Sequence, residues 1–193
     1  RVIAHDSIHD ELIERMVGVA QSLTVRPGID QPEFGPTMGA MVSEGQRDRA
    51  AGMVGAAQGE GAHVATGGRK MNIPGAFLEP TIVSNVTPDM AIATEEVFGP
   101  VLSVLKFSSD EDAISIANGT PYGLVGGVFT RDLDRATTAA RRLRAGQVFV
   151  NEWYAGGVET PFGGYGKSGY GREKGREALW NYVQTKNVAI KLR

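Results

Sequence analysis

The sequence predicts an α/β fold, a mostly parallel sheet with helices on both faces, and three observations predict it. Short apolar runs alternate with helix-patterned segments along most of the chain. The runs are apolar on both sides, as strands covered on both faces must be. The composition is that of an ordinary globular protein: hydrophobic residues are 41% and charged residues 22% of 193, and the 26 glycines show no collagen-like period.

The elements follow in order. Val2, Ile3 and Ala4 form a short strand-like run, after which Ser7, with Asp10 three residues on, reads as the N-cap of a helix. Ile8, Leu12, Ile13, Met16, Val19, Ala20 and Leu23 make one apolar stripe that ends before Pro27-Gly28. Ser43 with Gln46 starts a second helix. Its small residues Ala50, Ala51, Gly52, Ala56 and Ala57 allow close approach to a neighbour, and it ends near Gly59 to Gly61. Strand character returns at 63–65, 81–83 and 101–107, and Ser109 caps a helix that runs through Asn118. Residues 125–130 form the next strand. Asp132 then caps an Ala- and Arg-rich helix ending near Gly146, and Gln147 to Val150 follows as a strand. The last third departs from this rhythm, with a glycine-rich loop over 155–171, a helix over about 172–181, and the tail TKNVAIKL. Val188, Ile190 and Leu192 alternate along that tail, which suits an edge strand that pairs with something else, a partner subunit being one candidate. The organisation is one α/β domain over 1–181 and a terminal strand over 182–193.

Several classes of function are excluded. Twenty basic against 22 acidic residues give a formal charge of −2, so nothing suggests nucleic acid or an anionic membrane. The apolar stretches at 97–105 and 124–129 fall far short of the ~20 residues a spanning helix needs. The absence of cysteine removes disulfides, thiolate zinc sites and a cysteine nucleophile from these residues. His5 and His9 are four apart but enclose Asp-Ser-Ile, and with only His63 besides they make no metal site; exposed histidines near a helix start are expected. Gly164-x-Gly166-x-x-Gly169 matches the dinucleotide fingerprint in form, yet Pro161-Phe162-Gly163 precedes it where a strand is required. Gly166-Lys167-Ser168 fails as a phosphate loop because Pro161 holds the position of its first glycine. These glycines are expected instead to permit positive φ in a tight, buried crossover. The start, RVIAHDS, carries neither initiator Met nor an apolar signal core, and suggests a segment of a longer protein.

The segment Glu95-Glu96-Val97-Phe98-Gly99-Pro100 is more informative. Two adjacent carboxylates resist joint burial, so one faces solvent while the other is free to accept hydrogen bonds, for which sugar hydroxyls are natural donors. Chemistry alone leaves open whether both are merely solvated, and whether Phe98 packs on a ligand or fills the core.

ATEEVFGPVL at 93–102, ANGTPYGLVGGVFT at 117–130 and TPFGGYGKSGYGREKGREAL at 160–179 occur in the order found in the NAD(P)-dependent aldehyde dehydrogenases, and the resemblance runs from Arg1 to the tail. The resemblance implies the catalytic-domain fold of that family with a C-terminal oligomerisation strand. In the family a cysteine thiolate attacks the aldehyde, hydride passes to the nicotinamide, and water activated by a glutamate hydrolyses the thioester. The segment of the family that RVIAHDSIHDELIERM resembles lies just after that cysteine, so the nucleophile, the base and the dinucleotide-binding domain are expected upstream of Arg1, and no catalytic residue falls in this chain.

Residue by residue, the resemblance implies that Glu96 binds the nicotinamide-ribose hydroxyls and that Phe98 lies near the nicotinamide ring. Gln46 and Arg49 correspond to the helix that reaches the adenosine end of the cofactor, where Arg49 replaces a frequent lysine. Phe162, Asn151, Trp153 and Tyr154 resemble the lining of the aldehyde tunnel, while Gly156 stands where many members carry an aromatic ring. The implied function is oxidation of an aldehyde to a carboxylic acid with NAD or NADP by a cytoplasmic homo-oligomer, dimer or tetramer, with this chain inactive by itself. An acylating or semialdehyde-specific member, and a noncatalytic assembly module of the same fold, remain alternatives.

Overall fold

A computed structural model describes residues 1–30 and 37–192. The chain forms two compact units, Arg1–Gly119 and Thr120–Arg193.

The first unit is built on a four-stranded sheet. Its strands are β1 (Val2–His5), β4 (His63–Thr66), β5 (Thr81–Ser84) and β6 (Val101–Phe107), in the order β1-β6-β5-β4. The β1–β6 and β6–β5 pairings are parallel and β4 is antiparallel to β5, so the sheet is mostly parallel as the alternation predicts. A short parallel pair, β2 (Thr24–Val25) with β3 (Thr37–Met38), stands apart from it.

Strand pleating sends successive side chains to opposite faces, and the core divides accordingly. Ile82 and Val104 face a cluster with Ala4 and Ala20, where Leu12, Ile13 and Met16 of α1 (Asp6–Ser22) pack. Their neighbours Val83 and Leu105 face the other way, onto Ala50, Val54 and Ala57 of α2 (Glu44–Gly59), Ile92 and Ala93 of α3 (Ala91–Thr94), and Ile116 of α4 (Asp110–Asn118). Helices thus cover both faces, and all four residues of β5 are buried.

Ser43 and Ser109 cap α2 and α4 as expected, each hydroxyl accepting from the backbone N–H three residues on. The first helix differs. Strand β1 runs directly into α1 with no loop residue between them, so the cap is His5, whose Nδ1 accepts from the Ser7 N–H at 3.2 Å, and not Ser7. Asp10 closes no capping box; its carboxylate takes His9 Nδ1 at 2.6 Å and lies 3.5 Å from Lys106 Nζ. These partners, His9 first, hold the Asp10 carboxyl below the usual range. His5 is exposed as expected, but His9 is 2% exposed: its place on the apolar stripe of α1 turns it into the core.

The second unit carries a parallel pair, β7 (Val125–Val128) and β8 (Gln147–Val150), joined by α5 (Leu133–Arg142), which Asp132 caps. Its glycine-rich loop is tight but mostly exposed, only Gly164 being buried. Gly166, at φ +56°, shows the need for glycine: a Cβ there would lie 2.4 Å from the Pro121 carbonyl oxygen. The α-helix expected over 172–181 is absent. Gly171, Lys174 and Gly175 all take positive φ, which breaks the helical path, and a 3₁₀ segment over Arg176–Tyr182 replaces it. Residues 183–192 are exposed and join no ladder in this single chain; Arg193, the last residue of the expected tail strand, lies outside the described residues. No helix among the described residues is long and apolar enough to cross a membrane.

Candidate functional site

The eight residues singled out by the sequence fall into two groups, one in each unit. Glu96, Phe98, Gln46 and Arg49 lie in the first, where the loop between α3 and β6 meets the first turns of α2.

Val97 anchors that loop by burying its side chain in the core. Two residues on, Gly99 packs against α2 so closely that a Cβ would lie 2.9 Å from Met41 Cε and 3.2 Å from Ala50 Cβ. Between these fixed points Phe98 takes φ +54°, which turns its ring out of the core and leaves it 78% exposed. Glu96 is exposed too, and its carboxylate makes no hydrogen bond among the described residues.

Gln46 and Arg49 meet the loop through its backbone. Arg49 Nη1 donates to the carbonyl oxygens of Glu96 at 2.9 Å and Val97 at 3.2 Å, and its Nη2 lies 3.5 Å from Glu95 Oε2. Gln46 Nε2 donates to the carbonyls of Val97 and Phe98, both at 3.0 Å. A second network on the same helix joins Asp48 to Lys70 Nζ and Arg47 Nε, each at 2.9 Å. Those hydrogen bonds, Lys70's first, keep the Asp48 carboxyl below the usual carboxylate range.

In the second unit Asn151 extends the β7–β8 ladder with its side chain. Its Oδ1 accepts from the Thr130 N–H at 2.8 Å, its Nδ2 donates to the Thr130 carbonyl at 2.9 Å, and its backbone sits at φ +58°. The amide is therefore occupied with the Thr130 backbone and forms the turn. Beyond the turn, Trp153 and Tyr154 are 56% and 73% exposed and gather round the buried ring of Phe149, at centroid distances of 5.9 and 6.2 Å. Phe162 is half-buried, its backbone paired with Glu173 and its ring 5.7 Å from Lys174 Nζ.

Three supporting residues escaped the sequence reading. Thr130 completes the Asn151 turn, Met41 backs Gly99, and Gly127 lies under the indole of Trp153, where a Cβ would approach to 2.8 Å. The paired glycines inside β7 were the available signal for the last, since glycine within a strand marks a close approach.

A sequence model of the aldehyde dehydrogenase family matches residues 1–188. Among curated relatives, cytosolic aldehyde dehydrogenase 1 of Rattus norvegicus is 40% identical over the whole of this chain and an aldehyde dehydrogenase of Davidiella tassiana is 43% identical; the chain spans 38% of the length of each. Among solved structures, an NAD⁺ complex of a Bacillus cereus aldehyde dehydrogenase superposes on all of this chain with a TM-score of 0.91 at 36% identity, the match covering 39% of that protein. A betaine aldehyde dehydrogenase of Staphylococcus aureus, also with NAD⁺, matches 96% of the chain and 38% of its own with a TM-score of 0.89 at 34% identity. The family model covers nearly the whole chain, and curated aldehyde dehydrogenases and their solved structures match it throughout, so the chain belongs to the aldehyde dehydrogenase family.

Proposed function

We propose that this chain is the C-terminal part of an enzyme that oxidises an aldehyde to a carboxylic acid with NAD or NADP, and that its own share is to hold the nicotinamide half of the cofactor and to line the aldehyde site. The carrying observation is the loop at 95–99, where an unpaired carboxylate and an outward aromatic ring leave a backbone fixed on both sides. The donor set fits the cofactor. The free carboxylate of Glu96 is an acceptor suited to the vicinal hydroxyls of a ribose, and the Phe98 ring offers an apolar face to a flat heteroaromatic. When bound, NAD(P) supplies the hydride acceptor.

Glu96 orients the ribose by accepting from its hydroxyls, and Phe98 keeps water from one side of the ring. Gln46 and Arg49 brace the backbone of that loop from α2. Phe162, Trp153 and Tyr154 line the aldehyde site, with Asn151 setting the turn that presents the two rings. The thiolate chemistry has no source in these 193 residues, which contain no cysteine, so the chain by itself forms no NAD(P)H from aldehydes. The Bacillus and Staphylococcus enzymes are NAD⁺ complexes, which supports the cofactor, and the rat relative is a cytosolic enzyme, which supports a cytoplasmic location. The alternating, unpaired tail supports a homo-oligomer.

The test is Glu96→Gln in the naturally expressed protein. Hydride transfer in a single turnover slows by about tenfold, or ~1.4 kcal/mol of barrier, while the aldehyde KM changes little. Unchanged single-turnover NADH formation would make Glu96 a solvated bystander and remove the main support for this reading.

A further inference from the structure

Resting on the cofactor reading just given, we propose that Arg49 and Gln46 serve as positioning residues: they act on the cofactor through the loop, by holding the three consecutive carbonyls from which Glu96 and Phe98 project. None of the carbonyls of Glu96, Val97 and Phe98 accepts a backbone N–H among the described residues. Arg49 and Gln46 between them satisfy all three, with four contacts of 2.9 to 3.2 Å. The two donors stand three apart on α2, one turn of the same face, so a single rigid element sets the whole segment.

The chemistry favours an arginine here. One terminal nitrogen reaches two carbonyls while the other points to Glu95, a division that the fixed fork of a guanidinium supports and a lysine ammonium on a flexible stem does not. The burden on the clamp is also specific. Val97 and Gly99 fix the loop in depth, but Glu96 and Phe98 have no side-chain anchor, and Phe98 holds a backbone region disfavoured for a large residue. Without the clamp the loop can relax toward ordinary dihedrals and carry both side chains with it. A neighbouring residue supplies the control: Arg47 lies on the same helix but donates to Asp48 and to the Gly75 carbonyl, away from this loop.

Two measurements on the naturally expressed protein test the proposal. Without cofactor, Arg49→Met is expected to raise hydrogen exchange of the amides over 96–99 by about tenfold, with the amides over 50–58 of α2 unchanged; Arg47→Met leaves the loop amides as they were. In turnover, Arg49→Met is expected to lower kcat by about tenfold, but by less than about twofold when Glu96→Gln is already present, since both changes remove the same placement. Arg49→Lys recovers only part of either effect. Unchanged loop exchange overturns the proposal. So does an Arg49→Met effect that is confined to the KM for NAD(P) and adds fully to that of Glu96→Gln, because it would mean direct contact with the cofactor. Faster loop exchange together with a silent Glu96→Gln would uphold the clamp and reject the cofactor role of Glu96, so the two failures are separable.

Discussion

Replacing Asn151 tests the aromatic turn of the second unit, and its cost can be worked from three features: two side-chain hydrogen bonds to Thr130, exposure to solvent, and φ +58°. At an exposed position each bond contributes roughly 0.5–1 kcal/mol, so losing both costs roughly 1–2 kcal/mol. An alanine must also hold left-handed backbone, at roughly 1–2 kcal/mol more, which brings Asn151→Ala to roughly 2–4 kcal/mol. Glycine loses the same bonds but adopts the region freely, at roughly 0.5–1 kcal/mol in chain entropy, so Asn151→Gly comes to roughly 1.5–3 kcal/mol. The expected order is wild type, then Gly, then Ala. Urea unfolding followed by tryptophan fluorescence is the assay, because both tryptophans of these 193 residues, Trp153 and Trp180, lie in the second unit. A shift in the folded-state emission of Trp153 should accompany the loss of stability, since this turn sets its packing on Phe149. Equal midpoints for the alanine and glycine variants would refute the backbone part of the reasoning. Midpoints equal to wild type would refute all of it.

Asp48 titrates below its unfolded value, so the stability its network contributes is fully present above the ordinary carboxylate range and is lost as pH falls through the lower folded value. Lys70→Met should therefore move the Asp48 titration upward, as followed by carbon NMR of its carboxyl; an unmoved titration contradicts the assignment. Deleting residues 185–193 should convert the naturally expressed protein to smaller species in size exclusion with light scattering, and an unchanged oligomer in a truncation still folded by circular dichroism would refute the role given to the tail. Phe98→Asn should raise stability by about 1 kcal/mol, because asparagine tolerates φ +54° and the ring it replaces buries little. A lower denaturation midpoint would mean that the ring contributes folded-state contacts.

The sequence made the sheet legible wherever local signals and packing agreed. The Ser43 and Ser109 caps and the apolar runs at 81–83 and 101–107 are local, and the structure keeps them. It misled where context outranked the local signal. Ser7 was displaced as cap because a strand abuts the helix, and the helix expected over 172–181 gave way because Gly171, Lys174 and Gly175 share positive φ. His9 occupied an apolar stripe, and its burial followed from that stripe and not from its polarity. In the candidate site, Glu96 and Phe98 were singled out by motif resemblance, and the structure places both side chains outward on one loop. The hydrogen bonds of Gln46, Arg49 and Asn151 were not legible, because a side chain that serves a backbone carbonyl dozens of residues away leaves no mark in local pattern.

Backbone strain points to the same places without any use of resemblance. Five non-glycine residues among those described take positive φ: Asn85, Phe98, Asn151, Tyr154 and Lys174. Asparagine reaches that region cheaply, so the unusual cases are Phe98, Tyr154 and Lys174, each disfavoured by roughly 1–2 kcal/mol. Two of the three are exposed aromatic rings, and the third places its ammonium 5.7 Å from the ring centre of Phe162. An exposed ring gains little from burial, so folding alone rewards the outward turn of Phe98 little, and that of Tyr154 only through its ring contacts with Phe149 and Trp153. Each is instead maintained by neighbours: buried Val97 and the α2 side chains for Phe98, buried Phe149 and the Asn151 turn for Tyr154. A conformation that costs the isolated fold and is held from both sides by dedicated contacts is what a binding surface requires, since the ring must be in place before its ligand arrives. The strained aromatic positions are therefore the residues whose replacement should separate stability from function, gaining the first while losing the second.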